Sequence, residues 1–143
     1  MSFITIAQKL KDILDTVKNA SGSALSATFD YDPGYTSSLG FPYACVVNKT
    51  AEEEALDTAN NQTLYHFVLR VCDVNSTKTQ VEQNIRNCAD QLLAELRKRE
   101  NMTFGGTVDK VYPFQVNFFW DNSQQTPMRV CEITVDVLMH YSI

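Results

Sequence analysis

Several features are scarce in this chain, and each shortage excludes something. Twelve lysines and arginines stand against 17 aspartates and glutamates, giving a formal net charge of −5. A protein whose main task is gripping phosphate backbones is normally basic or carries a basic stripe. The only basic cluster here is Arg97-Lys98-Arg99, which follows a helical pattern and reads as a helix C-terminus, where cations complement the macrodipole. No apolar run is long enough to span a bilayer. The opening "MSFITIAQKLKDILDTVKN" is charged within nine residues and lacks the apolar core of a signal peptide. Neither a membrane segment nor a secretory leader is expected. The Asn-x-Ser/Thr tripeptides at Asn19, Asn48, Asn61, Asn75 and Asn101 then reflect only a composition rich in those residues.

The residues that usually carry chemistry are also few. Cys45, Cys72, Cys88 and Cys131 form no Cys-x-x-Cys pair, and His66 and His140 have no ligand residue at helical spacing. Three of the cysteines fall in strand-like runs and one on the apolar face of a helix. They are expected to be small buried hydrophobes in a reducing compartment. Gly105-Gly106 lacks the helix-opening context and the lysine of a phosphate-cradling loop. No nucleophile elbow is present. A histidine-based triad would need His66 or His140 beside a serine or cysteine and a carboxylate. The run Glu52-Glu53-Glu54 lacks the glycine turn and spaced oxygen ligands of a dedicated divalent-cation site. The expectation is a protein with no catalytic residues, no cofactor and no metal.

What is present is a pattern of regular elements in 143 residues, the size of a single domain over 1–143. Ile6, Leu10, Ile13, Leu14 and Val17 recur at helical spacing, predicting a helix over 5–19 with Thr5 and Gln8 as a capping box. A short strand is expected at 24–32, then a turn-rich loop at 33–42. Strands are expected at 43–48 and 63–74, joined by a polar arm at 49–62 that is longer than ordinary hairpin loops. Val81, Ile85, Cys88, Ala89, Leu92, Leu93 and Leu96 make one stripe of a helix within 76–100, with a second capping box at Thr79 and Glu82. A strand at 107–120 contains Pro113, which is comfortable only at an edge or bulge. After a turn at 121–127, Cys131, Ile133, Val135, Val137, Met139 and Tyr141 alternate with Glu132, Thr134, Asp136, Leu138 and His140 in a closing strand. The order α-β-β-β-α-β-β predicts an α+β domain, with a mostly antiparallel sheet of four to five strands and two helices packed on one face.

Large residues fall on both faces of "LYHFVLRV" and "VNFFW", more than a single solvated sheet face normally shows. A thicker core and a subunit interface both explain this, since aromatic residues are enriched at interfaces. The candidate interface residues are Glu52, Glu53, Glu54 and Asp57 of the arm, and Phe119 of the aromatic strand.

The order of segments is similar to that of one family. An amphipathic helix leads to "GFPYACVVN", and a polar arm precedes "YHFVLRVCDV". The helix "VEQNIRNCADQLLAEL" runs into "GGTVDKVYPFQV", and "RVCEITVDVLMHY" closes the chain. This resembles the tail terminator, or tail completion, proteins of long-tailed bacteriophages, across nearly the whole chain. The resemblance implies a structural virion protein at the head-proximal end of the tail, assembled in the host cytoplasm. It implies a homo-oligomeric, hexameric ring that caps the tail tube, ends its polymerisation and meets the head-tail connector protein. DNA would pass through the lumen without specific binding, and an acidic balance suits such a passage. Another phage neck or tail-tube-related protein of similar fold is an open alternative, as is a small ligand-binding α+β domain. A ligand-binding or enzymatic domain should show a pocket with convergent polar groups.

Overall fold

A computed structural model of the chain describes residues 2–34, 40–57, 59–74, 77–123 and 126–142. Parts of the predicted loop 33–42, of the start of the second helix and of the turn 121–127 lie outside the described residues. The elements are α1 (Phe3–Asn19), β1 (Ala27–Phe29), β2 (Tyr43–Ala55), β3 (Asn60–Asp73), α2 (Lys78–Leu96), β4 (Lys110–Asp121) and β5 (Met128–Ser142). A 3-10 turn at Arg99–Asn101 follows α2. The element order and the α+β class are as the sequence predicts.

Both helices form because their apolar residues repeat at 3.6-residue spacing, but their starts differ from the expected boxes. Ser2, not Thr5, caps α1, its hydroxyl accepting the Thr5 N–H at 3.2 Å. Gln8 instead reaches Asp30, donating to its carboxylate at 2.8 Å. In α2, Thr77 holds the cap position and Thr79 lies inside the first turn, while Glu82 points to Arg129. Hydrophobic periodicity located the helices well, but a four-residue motif did not choose among neighbouring Ser and Thr residues.

The five strands form one sheet in the order β1-β2-β3-β5-β4, with β1 parallel to β2 and the other pairs antiparallel. Ile6, Leu10, Leu14 and Val17 of α1, with Ile85, Leu92 and Leu96 of α2, pack on Val46, Phe67, Leu69, Ile133, Val135 and Val137. Each such side chain contributes roughly 1.5–3 kcal/mol when fully buried. The face of β5 expected to meet the helices, beginning at Cys131, does so. Polar ties fix the layers. Gln91 of α2 donates to Gly22 O and accepts from Ala24 N, each at 3.1 Å. Asp15 of α1 joins Lys11 to the Thr28 hydroxyl of β1. After the 3-10 turn, Phe104, Gly105 and Gly106 all have positive φ, which two glycines accommodate while the Phe104 ring stays buried.

The polar arm is the main correction. Residues 49–62 are not a loop: β2 continues to Ala55, β3 begins at Asn60, and the two remain paired almost to the tip. Alternation vanishes there because the β2 half of this ribbon is exposed on both faces, so no apolar pattern marks it as strand. A bulge between Asn48 and Thr50 separates the ribbon from the buried part of β2. Pro113 lies on the edge strand β4 beside a second bulge, between Pro113 and Gln115, as proline requires.

Candidate functional surface

Since successive side chains of a strand point to opposite faces, the pairing register lists what lies on the face away from the helices. Cross-strand rows run from β2 to β4: Tyr43, Cys72, Val130, Phe119; then Cys45, Arg70, Glu132, Asn117; then Val47, Val68, Thr134, Gln115. Beyond the bulges come Thr50, His66, Asp136, Tyr112, and then Glu52, Leu64, Leu138, Lys110. The face passes from apolar at the β1 end to polar at the ribbon.

At the apolar end, Tyr43, Cys45, Cys72, Met128 and Val130 form a second small core, flanked by Phe29 and Phe41. The Tyr43 ring meets Phe29 edge-on at 5.9 Å between centroids and Phe41 at 5.6 Å. A cavity of about 190 Å³ opens here, lined in part by Asp32, Tyr43, Arg70, Cys72 and Phe119. That volume is below the ~300–1,000 Å³ of ordinary small-molecule sites. Its one cation is engaged: Arg70 contacts Glu132 at 2.6 Å and Asp32 at 2.5 Å.

The four cysteines are free and buried. Burial pushes the Cys72 thiol up to about 11 and those of Cys88 and Cys131 to about 12, and raises Cys45 further. Such thiols stay protonated and are poor nucleophiles or metal ligands.

Each histidine has its own carboxylate. His140 Nδ1 lies 3.0 Å from Asp109. His66 Nδ1 lies 2.6 Å from Asp136, and its Nε2 faces Glu52 at 3.4 Å. A buried aspartate orienting an imidazole is half of a nucleophilic triad, but the second nitrogen here meets a carboxylate rather than a hydroxyl or thiol. Among the described residues, no group of three or more His, Cys, Asp or Glu side chains is placed to hold a metal ion.

The candidate interface residues do not form one site. Glu52 and Glu54 share the face away from the helices, opposite Leu64 and Gln62, whereas Glu53 points to the other face, opposite Thr63. Asp57 builds the ribbon's turn: its carboxylate accepts the Ala59 N–H at 2.8 Å and an Asn60 amide N–H at 3.1 Å. Those bonds lower its pKa below the usual carboxylate value. Phe119 lies at the opposite end of the face from Glu52. Their rows meet β5 at Val130 and Leu138, about 27 Å apart at the usual strand rise.

Phe119 is instead part of an aromatic ridge that the sequence reading caught only in part. Phe114 is 68% exposed, Phe118 42%, Phe119 40% and Trp120 37%, all on β4. Phe118 and Trp120 lie on the helix side, where the Arg129 guanidinium is 5.9 Å and 5.5 Å from their ring centroids. Arg129 is in turn held by Glu82 of α2 at 2.7 Å. β4 pairs only with β5 among the described residues, so its other edge is open. At the opposite end of the sheet, β1 covers β2 only along Tyr43–Cys45. No helix among the described residues is long and apolar enough to cross a membrane. Compared with known proteins, the sequence matches no family model and no curated protein.

Proposed function

We propose that this chain is a structural, non-enzymatic component of a long-tailed bacteriophage tail, a protein that resembles the tail terminators. Its copies form a ring, hexameric as in that family, which caps the tail tube at its head-proximal end. The ring ends tube polymerisation and offers a surface to the head-tail connector. No cofactor is needed.

The observation that carries this reading is the open β4 edge with its four exposed aromatics. Aromatic side chains clustered beside unpaired strand hydrogen-bonding groups are what protein interfaces use and what monomers avoid. Among the described residues the other end of the sheet is open along the β2 ribbon, so the two ends present unlike surfaces. Contact between unlike surfaces is head-to-tail, and head-to-tail contacts close into rings when the rotation permits. The face away from the helices carries Asp32, Glu52, Glu54, Glu132 and Asp136 against Arg70, His66 and Lys110, and this acidic excess suits a passage through which DNA slides without sticking.

Size-exclusion chromatography with light scattering, then negative-stain microscopy, tests the ring, with annuli of six copies as the expected result. A strict monomer at high concentration, alone and mixed with tail tubes, overturns the proposal. Annuli that stack into tubes instead of halting their growth would assign the chain to the tube.

A further inference from the structure

His66 stands at the root of the ribbon, in the row formed by Thr50, His66, Asp136 and Tyr112 across four strands. Both ring nitrogens are engaged, Nδ1 by Asp136 at 2.6 Å and Nε2 by Glu52 at 3.4 Å. A neutral imidazole carries one N–H and one lone pair. Whichever tautomer it adopts, one carboxylate then faces the lone pair and is repelled. Only the imidazolium donates to both.

The two carboxylates differ in what losing the imidazole would entail. The Asp136 side chain is 6% exposed, so an uncompensated charge there is costly. Glu52 is 72% exposed and water replaces its partner readily. The neutral ring therefore keeps Nδ1–H on Asp136 and turns its lone pair toward Glu52.

We propose that His66 is a proton-operated clasp, which in its charged form ties Glu52 of the β2 ribbon to Asp136 of β5 and in its neutral form lets Glu52 go. The clasp works within one copy of the chain and does not depend on ring formation. The ionisable neighbours on the strands that meet the ring are Glu52 on β2, Asp136 on β5, and Tyr112 with Lys110 on β4. On β3 itself, Arg70 is occupied by Glu132 and Asp32. The helices lie on the other face. Burial by itself would lower the His66 pKa, but the hydrogen bonds and charges of Asp136 and Glu52 outweigh it and hold it above the ordinary imidazole value. The clasp therefore closes as the pH falls through the folded His66 value, which lies above the ordinary imidazole value of about 6.5, and opens as the pH rises through it. Release turns the ribbon's outward carboxylate free to meet another charge.

The test is an NMR titration of the intact chain, following the His66 ring nitrogens and the Glu52 side-chain carboxyl carbon. In the wild type, His66 should titrate above its ordinary value, and the Glu52 carboxyl should show a second inflection at the His66 midpoint. His66→Gln should abolish that inflection. Glu52→Gln, an exposed change that leaves the fold intact, should lower the His66 midpoint. A midpoint unmoved by Glu52→Gln, or a Glu52 carboxyl silent at the His66 midpoint, overturns the clasp. These readouts need no oligomer, so the ring proposal can fail while the clasp stands, or the reverse.

Discussion

Arg70 and Glu132 face each other directly across β3 and β5, and two guanidinium nitrogens, Nε at 2.8 Å and Nη2 at 2.6 Å, reach the same carboxylate oxygen. The pair lies beside the small second core, where water is partly excluded. Glu132→Gln is expected to destabilise the fold by about 1–3 kcal/mol, since the amide keeps an acceptor oxygen but loses the charge that balances the half-buried guanidinium. Asp32→Asn, which breaks the more exposed contact, should change stability by less than about 1 kcal/mol. Urea denaturation with unchanged m values measures both. Equal losses would show that the two carboxylates share the guanidinium evenly.

Asp73 is buried, with its carboxylate accepting from the Asn84 amide at 3.0 Å. Burial raises its pKa, outweighing the bonds from Asn84 and the Val74 N–H. Because the folded value lies above the unfolded one, the contribution of Asp73 is most favourable below about pH 3.9. It is lost as the pH rises through the folded value. Denaturation at pH 3 and pH 7 should therefore show the stability difference between Asp73→Asn and wild type moving in favour of the variant at the higher pH. A difference that moves the other way contradicts the assignment.

Two aromatic residues should respond in opposite ways. Phe67 is fully buried between the sheet and α1, and Phe67→Ala should cost about 3–5 kcal/mol. Phe114→Ser, at the most exposed position of the ridge, should alter monomer stability by no more than about 0.5 kcal/mol. The same change should reduce the oligomer fraction seen by light scattering, if the ridge is the contact between copies.

The thiols offer a count. With all four buried and their pKa values raised, Ellman's reagent should find none reactive in the native protein and four in guanidinium. Rapid labelling of Cys45 or Cys72 under native conditions would mean that the small second core opens readily.

Much of this architecture was legible in the sequence, for reasons that differ by element. The periods of α2 and β5 are unambiguous because each buries one whole face, from Val81 to Leu96 and from Cys131 to Val137. The edge position of Pro113 followed from its missing N–H. The ribbon carries no strand signal because the side chains from Lys49 to Ala55 are exposed on both faces, and a strand that buries no side chain leaves no alternation to read. The pairing of His66 with Asp136 was hidden for another reason. Both stand at the polar positions of their strands, 70 residues apart, and only the register of β3 against β5 brings them together. Arg129 was likewise unremarkable until Phe118, Trp120 and Glu82 converged on it.

The strand order has a kinetic consequence. β5 follows both β3 and β4 in sequence, yet it lies between them in the sheet, and they do not pair with each other. Until Met128–Ser142 has left the ribosome, β4 has nothing to add to, and β3 carries an open edge flanked by Phe67 and Leu69. A nascent chain therefore holds two unjoined pieces of sheet, and its sheet becomes continuous only through contacts distant in sequence, the slow kind to form. During that interval the exposed β3 edge is the segment most open to pairing with a wrong strand. Slowing synthesis just before residue 128 should therefore lower soluble yield more than slowing it earlier.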